Sequence, residues 1–149
     1  MDKLQENALG RLLYLSAMSF RNYLENHLKP YDLTAEQFHV MKCLIEEDGV
    51  TQSRLCTSTY KSPANVTRIL DRLEKKRCLE RRNNPGDRRS SLVHLTGQGE
   101  LLMAKIKEEL ADCEAKVTTG LSPQEVQVIK DGLKIIRYNM EQSMGEQAK

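Results

Sequence analysis

Apolar residues recur every three or four positions along most of the chain, which is the period of an amphipathic α-helix. This period runs through five segments, namely residues 1–30, 34–47, 63–76, 98–118 and a last helix that starts at Ser122. A shorter helix with Leu55 facing inward is predicted over residues 51–59. The chain is therefore predicted to be mainly α-helical.

Helix starts are marked by residues that cap the free N–H groups of a first turn. A capping box sets Ser or Thr three residues before Glu or Gln, so that each side chain bonds the backbone N–H of the other. Thr34 with Gln37, and Ser122 with Glu125, have this spacing. Ser62 is followed by a proline, which suits the first helical position. Three helices are thus predicted to start at these caps.

The helical period is interrupted between residues 78 and 95. Residues 78–83 and 91–95 are short segments joined by the turn-rich stretch Asn-Asn-Pro-Gly-Asp, which predicts a β-hairpin. Three helices followed by a hairpin is the order of a winged helix–turn–helix, and we predict this region over residues 32–97. The whole chain, 1–149, suits a single domain. The flanking segments 1–30 and 98–149 are predicted to supply dimerisation helices.

Charge is unevenly distributed, although the net charge is only +2. Residues 51–95 hold eleven Lys or Arg against four Asp or Glu, a net charge of +7, whereas the rest of the chain carries −5. A basic middle between acidic flanks indicates a surface that faces a polyanion. The plainer explanation of such a run is a solvated helix face, so the pattern needs support from particular side chains.

No apolar run approaches the roughly 20 residues needed to cross a bilayer. The first twenty residues also lack the order of a signal peptide, because Asp2, Glu6 and Arg11 stand among the leucines. These features predict a cytoplasmic protein with no membrane partner.

Cysteine spacing argues against a disulfide or zinc framework, since the four residues are far apart: Cys43, Cys56, Cys78 and Cys113. His39 and Cys43 lie four residues apart and share a helix face, but two ligands do not make a metal site. No metal and no cofactor are therefore expected. Oxidant sensing stays open, and Cys78 beside Arg77 is the thiol with a neighbouring cation that would lower its pKa.

The helix that opens at Ser62 has the side chains expected of a DNA-reading helix. In a helix–turn–helix the second helix enters the major groove with its N-terminal end leading. Short or planar polar residues face away from its apolar stripe: Ser62, Asn65, Thr67 and Arg68. An arginine can make a two-point contact with guanine, and an asparagine with adenine. The cap at Ser62 is explained by helix initiation alone, so the functional prediction rests on the outward residues.

The hairpin tip carries Asp87, Arg88 and Arg89. Arginines at the end of a narrow ribbon can enter a minor groove, where A·T-rich tracts concentrate negative potential. Asp87 would oppose phosphate, but it fits this surface if it holds an arginine side chain extended by a charge-assisted pair. A solvated turn is the alternative explanation.

Taken in order, several motifs resemble those of the MarR family of bacterial regulators. They are Leu33-Thr34-x-x-Gln37-Phe38, Gly49-Val50-Thr51-Gln52, the run from Ser62 to Glu74, and Pro85-x-Asp87-Arg88-Arg89 through Val93-x-Leu95-Thr96-x-x-Gly99. The resemblance implies a homodimer whose terminal helices intertwine and which binds double-stranded DNA at a pseudo-palindromic operator. It also implies release by a small aromatic or phenolic effector, or by oxidants in some branches.

Carried over by position, the resemblance places five residues in the major groove: Ser62, Pro63, Asn65, Thr67 and Arg68. Arg72 adds positive charge to the same helix. Arg88 and Arg89 would serve the wing, and Asp87 would orient an arginine there. Repression is the working hypothesis. The sequence alone does not distinguish a repressor from an activator, and it does not identify target genes.

Two positions depart from the family pattern. Arg77 stands where the family usually ends the recognition helix with glycine, and a left-handed residue costs about 1–2 kcal/mol without glycine. The turn is therefore expected to differ, or Arg77 to add a phosphate contact. The N-terminal helix also lacks the reactive cysteine of the peroxide-sensing branch, which argues against that mechanism.

Dimerisation has support from the residues themselves. The first helix is apolar over too much of its circumference for one flank of a small domain: Leu4, Leu9, Leu12, Leu13, Leu15, Met18, Phe20, Tyr23, Leu24 and Leu28. In the last helix, Ile135 lies beside the main apolar stripe. Such excess at both chain ends indicates an interface, and packing on the protein's own core is the alternative.

An effector would fit a cleft between the dimerisation helices and the winged region. The residues that would line it are Tyr14, Met18, Tyr31 and His39. Each is explained equally well as a core or interface residue, so the identity of an effector, or its existence, stays open.

Two other functional classes are less well supported. An enzyme would need a clustered site, but the three histidines are scattered and neither a phosphate loop nor a nucleophile motif is present. A winged helix used only for protein contact would have an uncharged recognition face, contrary to Arg68, Arg72, Arg88 and Arg89. We therefore expect a DNA-binding transcriptional regulator.

Overall fold

The computed structural model describes residues 8–147, which form two compact units, one ending at Leu110 and the other beginning at Ala111. The first unit contains, in order, α1 (Leu9–Leu28), a 3-10 turn (Lys29–Tyr31), α2 (Ala35–Glu46), β1 (Val50–Thr51), α3 (Gln52–Thr59), α4 (Pro63–Lys75), β2 (Leu79–Asn83), β3 (Ser91–Leu95) and α5 (Gly97–Glu109). The second contains α6 (Cys113–Val117) and α7 (Pro123–Gln147). This mainly helical architecture with a small sheet confirms the predicted winged-helix fold class.

The predicted caps are present at the helix starts. Thr34 Oγ1 accepts a hydrogen bond from the Gln37 N–H at 3.1 Å, and Gln37 Oε1 accepts one from the Thr34 N–H at 3.3 Å. Ser122 and Glu125 form the same reciprocal pair at the start of α7. Ser62 caps α4 through its side chain. These starts were predictable because each depends on residues three positions apart.

The core of the first unit lies between the C-terminal end of α1, α2, α3, α4, α5 and the sheet. Its largest fully buried side chains are Leu28, Met41, Leu44, Leu55, Leu70, Leu73, Leu79 and Ile106. On α4 the buried residues Val66, Ile69, Leu70 and Leu73 form one face, so the opposite face is left to solvent. Packing therefore fixes the orientation of α4 and of the polar residues at its start.

The sheet has three antiparallel strands in the order β1-β3-β2. β2 and β3 form the predicted hairpin, in register from Leu79 opposite Leu95 to Asn83 opposite Ser91. The sequence pattern did not predict β1, which pairs Val50 with Val93. A two-residue strand is too short to show a periodic pattern. Its partner strand also lies more than forty positions further along the chain, so nothing in the local sequence indicates the pairing.

The single long helix predicted over residues 98–118 is wrong. α5 ends at Glu109, and residues 110–112 form a turn before α6 begins at Cys113. Ile106 is fully buried, whereas Val117 is exposed, so the apolar stripe loses its supporting core after α5. Asp112 is also a poor residue for a helix interior. The predicted repeat was real, but tertiary packing supports only its first part.

α4, the predicted recognition helix, ends on a left-handed residue despite the absence of glycine. Arg77 has φ +57°, the left-handed conformation that glycine usually adopts at this position. The sequence predicted that a turn without glycine would differ from this geometry. The Cys78 N–H bonds the Leu73 carbonyl at 3.0 Å and the Arg77 N–H bonds the Glu74 carbonyl at 2.9 Å, which is the Schellman pattern of helix ends. The turn is therefore kept, and Arg77 tolerates the backbone strain.

None of the helices among residues 8–147 combines the length and the apolar character needed to cross a membrane.

Candidate nucleic-acid interface

The first turn of α4 presents polar groups to solvent. Ser62 Oγ accepts the Asn65 N–H at 3.3 Å, and Pro63 occupies the first helical position. Ser62, Pro63 and Asn65 are exposed, as is Arg68 one turn later. The structure therefore brings these predicted residues together at one end of one helix, with the buried stripe of α4 behind them.

Asn65 and Arg68 are hydrogen-bonded to each other. An Arg68 Nη2 N–H donates to the Asn65 Oδ1 atom across one turn of the helix. The sequence predicted both as separate base contacts, and the structure makes them one polar unit.

Thr67 is partly occupied by contacts inside the protein. Its hydroxyl donates to the Pro63 carbonyl oxygen at 2.9 Å and accepts from Gln52 Nε2 at 3.3 Å. Since a hydroxyl has one donor and two acceptor sites, one acceptor site remains for a ligand. Gln52, at the start of α3, thereby links α3 to α4, the two helices of the helix–turn–helix. Gln52 belongs to the motif Gly49-Val50-Thr51-Gln52, but its separation of fifteen residues from Thr67 gives no sign of this contact in the sequence.

A carboxylate clamp, formed by Asp71 and Glu74 of α4 around Arg81 of β2, joins the recognition helix to the wing. Arg81 Nη2 lies 2.5 Å from Asp71 Oδ1 and 2.7 Å from Glu74 Oε2, and the Arg81 N–H donates to Glu74 Oε1 at 3.2 Å. The side-chain hydrogen bond from Arg81 holds the pKa of Glu74 below its usual value, and the two carboxylates raise the pKa of Arg81. The clamp fixes the direction in which the wing leaves α4.

Replacing Glu74 with glutamine should lower the free energy of unfolding at neutral pH by about 1 kcal/mol, because the pair is partly exposed. The pKa of Glu74 is lowered by folding, so its stabilisation is complete above the ordinary value of 4.5 and is lost as the pH falls through the folded-state value. Urea unfolding of both proteins between pH 7 and pH 3 should show the difference shrinking. The exposed Glu46→Gln is the control, and a constant difference across this range would contradict the clamp.

The wing tip is built from two side-chain-supported turns. Asn84 Oδ1 accepts the Gly86 N–H at 3.0 Å, and Asp87 Oδ1 accepts the Arg89 N–H at 2.9 Å. We expected Asp87 to pair with an arginine side chain, but no such ion pair is present among the described residues. Asp87 instead shapes the backbone that carries Arg88 and Arg89, both of which are exposed.

Positive charge available to a ligand is concentrated on α4 and the wing tip. Five of the eleven basic residues between 51 and 95 form ion pairs, namely Arg54, Lys61, Lys76, Arg81 and Arg82. Within the described part of the chain the other six form none: Arg68, Arg72, Lys75, Arg77, Arg88 and Arg89. The free cations thus lie on the exposed side and end of α4 and at the wing tip.

The residues predicted for an effector site have mixed surroundings. The Tyr31 hydroxyl donates a hydrogen bond to the Glu109 carboxylate, which raises the pKa of Tyr31. Tyr14, Met18 and His39 are exposed. None of the four lines either of the two surface cavities that stand out in the described units, which are formed by residues 111–130 and by the surroundings of the carboxylate clamp.

Two of the four thiols, Cys43 and Cys78, do not have the surroundings of a reactive cysteine. Burial raises the pKa of Cys78, which is only 2% exposed, and outweighs the nearby Lys76 cation. Burial also raises the pKa of Cys43. A raised pKa disfavours the thiolate at neutral pH, and the thiolate is the reactive form. No three metal-ligating side chains cluster among residues 8–147.

An exposed polar helix tip, a buried stripe behind it and an arginine-bearing wing define a winged helix–turn–helix DNA-binding protein. A family model described as the MarR family matches residues 33–91. The multiple antibiotic resistance protein MarR of Salmonella typhimurium is 35% identical over 130 residues, covering 86% of this chain and 90% of that protein. The uncharacterized HTH-type transcriptional regulator YhbI of Bacillus subtilis is 31% identical over 110 residues, covering 74% of this chain and 71% of that protein.

Solved structures show the same relationship. A cysteine mutant of MarR from E. coli, complexed with operator DNA, has a TM-score of 0.84 and 30% identity, covering 91% of this chain and 99% of that one. The transcriptional repressor CouR, bound to a 23-mer DNA duplex, has a TM-score of 0.83 and 26% identity, covering 92% and 99%. The chain belongs to the MarR family. It is a DNA-binding transcriptional regulator and not an enzyme.

Proposed function

We propose that this protein binds a pseudo-palindromic operator as a homodimer in the cytoplasm, acts as a repressor, and is released by a small aromatic or phenolic ligand. The observation that carries the proposal is the placement of the free cations and the polar start of α4. Both occur in the unit that contains the recognition helix and the wing. Ser62, Pro63, Asn65, Thr67 and Arg68 would contact the major groove, Arg72 would contact phosphate, and Arg88 and Arg89 would enter the minor groove.

A second copy of the chain would cover apolar surface that each unit exposes. On α1 these side chains are Leu9, Leu12, Tyr14, Leu15, Met18 and Phe20, and on α7 they are Val128, Ile129, Leu133, Ile135, Tyr138, Met140 and Met144. Monomeric proteins seldom expose apolar patches this extensive. The two-fold symmetry of such a dimer would place the recognition helices one turn of DNA apart, or a multiple of it. Leu4, also predicted for this interface, lies outside the described residues.

Repression and effector release are supported by resemblance. CouR, a structural relative, is a repressor bound to DNA, and the MarR relatives carry the name of an antibiotic resistance protein. The proposed effector site keeps Tyr14, Met18, Tyr31 and His39. Titrating the protein–operator complex with a panel of phenolic compounds tests this part, and retention of DNA at saturating concentrations of all of them would count against it.

Two arginine variants test the DNA interface. Arg68→Ala should cost about 1–3 kcal/mol of discrimination at one base position of each half-site. Arg88→Ala should weaken binding to all sequences and lower the slope of log affinity against log salt by about 1 for each protomer. Fluorescence anisotropy on a selected operator and a scrambled duplex, at several salt concentrations, measures both effects.

Binding of both variants with the affinity, base preference and salt slope of the parent would show that the interface lies elsewhere. Ile45→Ala is the matched control, since Ile45 is exposed on α2, is not among the residues proposed to contact DNA, and its truncation leaves the charge unchanged.

A further inference from the structure

The bond between Asn65 and Arg68 changes what this helix can recognise. A guanidinium only donates hydrogen bonds, so the Asn65 atom that it contacts is the carbonyl oxygen. The amide N–H₂ of Asn65 therefore remains free, and the second lone pair of its oxygen lies beside the guanidinium. Both side chains are exposed at the start of α4, where the backbone is fixed by the Ser62 cap and the buried Val66 and Ile69.

A pair arranged in this way offers mostly donors, because the guanidinium takes one of the two lone pairs of the Asn65 oxygen. Reading adenine with asparagine requires the amide oxygen to accept from the adenine N6 amino group while the amide nitrogen donates to N7. Here that oxygen already accepts from a cation, and the adenine amino group would lie beside the guanidinium, placing donor against donor. Guanine has two acceptors and no donor on its major-groove edge, so it matches the pair.

We propose that Asn65 and Arg68 act together as a guanine reader: Arg68 bonds guanine, and Asn65 holds Arg68 in position while its N–H₂ donates to an adjacent acceptor. Asn65 is thus a specificity-determining residue and not an adenine contact, which revises the expectation from sequence. This inference rests on the proposed function, because it names the base that the proposed interface selects.

The surrounding charges favour this arrangement. The Glu36 carboxylate, whose pKa is lowered mainly by Lys61 and to a smaller extent by the Arg68 charge, is paired with Lys61 Nζ at 2.9 Å. Asp71, one turn further along α4, is held by Arg81. These two carboxylates are therefore paired with other cations. The Arg68 guanidinium remains available to contact the major groove together with Asn65.

Selection of duplexes from random DNA by the full-length protein tests the proposal. Wild-type protein should select a guanine at one position in each half-site. Replacing this guanine by 7-deazaguanine, which lacks the N7 acceptor, should weaken binding about 10-fold or more. Arg68→Ala should lose the guanine preference. Asn65→Ala should weaken the guanine preference and leave the selection of adenine at every position as in the wild-type protein. Arg88→Ala should weaken binding but keep the guanine preference.

The outcomes separate this inference from the proposed function. If Asn65→Ala removes an adenine preference and leaves the guanine intact, or if the selected half-sites lack guanine, the joint reader is wrong although the DNA-binding function stands. If wild-type protein selects no sequence at all, both fail. Since both side chains are exposed, thermal unfolding should show that the variants keep the fold.

Discussion

A Gly99→Ala variant is expected to lose about 3 kcal/mol of folding free energy, the upper end of what overpacking a protein interior usually costs. A Cβ atom at this position would lie 2.0 Å from the carbonyl oxygen of Cys78 and 3.0 Å from its carbonyl carbon. These are backbone atoms and cannot rotate away. Gly99 is buried in the first turn of α5, and its N–H donates to Thr96 Oγ1 at 3.0 Å.

The clash would reach the proposed DNA interface through the end of α4. The Cys78 carbonyl accepts the Thr96 N–H at 3.1 Å, and the Cys78 N–H closes the last turn of the recognition helix. Moving Cys78 to admit a methyl group would therefore disturb the turn at Arg77 as well. This close approach explains why a glycine suits this place in the motif.

Urea unfolding followed by circular dichroism measures the effect, and Gly97→Ala is the matched control. Gly97 lies two residues earlier in the same helix, and a Cβ added there has no neighbour within 4 Å. Alanine is favoured over glycine in helices by roughly 0.5–1 kcal/mol, so the control should match or exceed the stability of the parent. Equal stability of the two variants would show that the close contact with Cys78 does not constrain the fold.

Local features of the fold were predictable because their causes are local. The caps at Thr34, Ser62 and Ser122 each depend on atoms within one turn. The hairpin was predictable because turn residues interrupt the apolar period over a short stretch. The buried stripe of α4 follows from spacing alone, so the outward position of Asn65 and Arg68 followed as well.

Features that depend on distant contacts were missed. Arg81 was counted as one charge of a basic segment, but its contacts with Asp71 and Glu74 depend on how β2 packs against α4. The strand β1 exists because β3 provides its partner. The end of α5 at Glu109 reflects where core packing stops, and the apolar repeat beyond it suggested a helix that the packing does not support.

Predicted single residues also acquired new roles when their neighbours were placed. Asp87 was expected to hold an arginine side chain and instead bonds the Arg89 backbone. Thr67 is predicted to be an outward polar residue that meets the major groove, but its hydroxyl already bonds Gln52 and the Pro63 carbonyl. Polarity and exposure can be predicted from sequence, whereas the remaining hydrogen-bonding capacity requires knowledge of the partners.

Acidic substitutions on α1 are expected to separate the proposed dimer and to abolish tight operator binding. Leu12 and Leu15 are 47% and 44% exposed, so the double variant Leu12→Glu and Leu15→Glu should leave the fold of the protomer intact. In a dimer interface the same carboxylates would be buried without partners, which is strongly unfavourable. Light scattering should report half the molecular mass of the parent protein.

Operator affinity should fall by about 100-fold or more, because two linked half-site contacts strengthen binding by that factor or greater. The control is the double variant Ile45→Glu and Lys42→Gln, two exposed positions on α2. It lowers the net charge by the same two units outside the proposed interface, so any loss of affinity it shows measures the general effect of added negative charge on DNA binding. If the α1 variant stays dimeric and binds the operator no worse than this control, α1 does not contribute to the dimer. If it becomes monomeric but keeps full affinity, tight operator binding does not require two linked recognition helices.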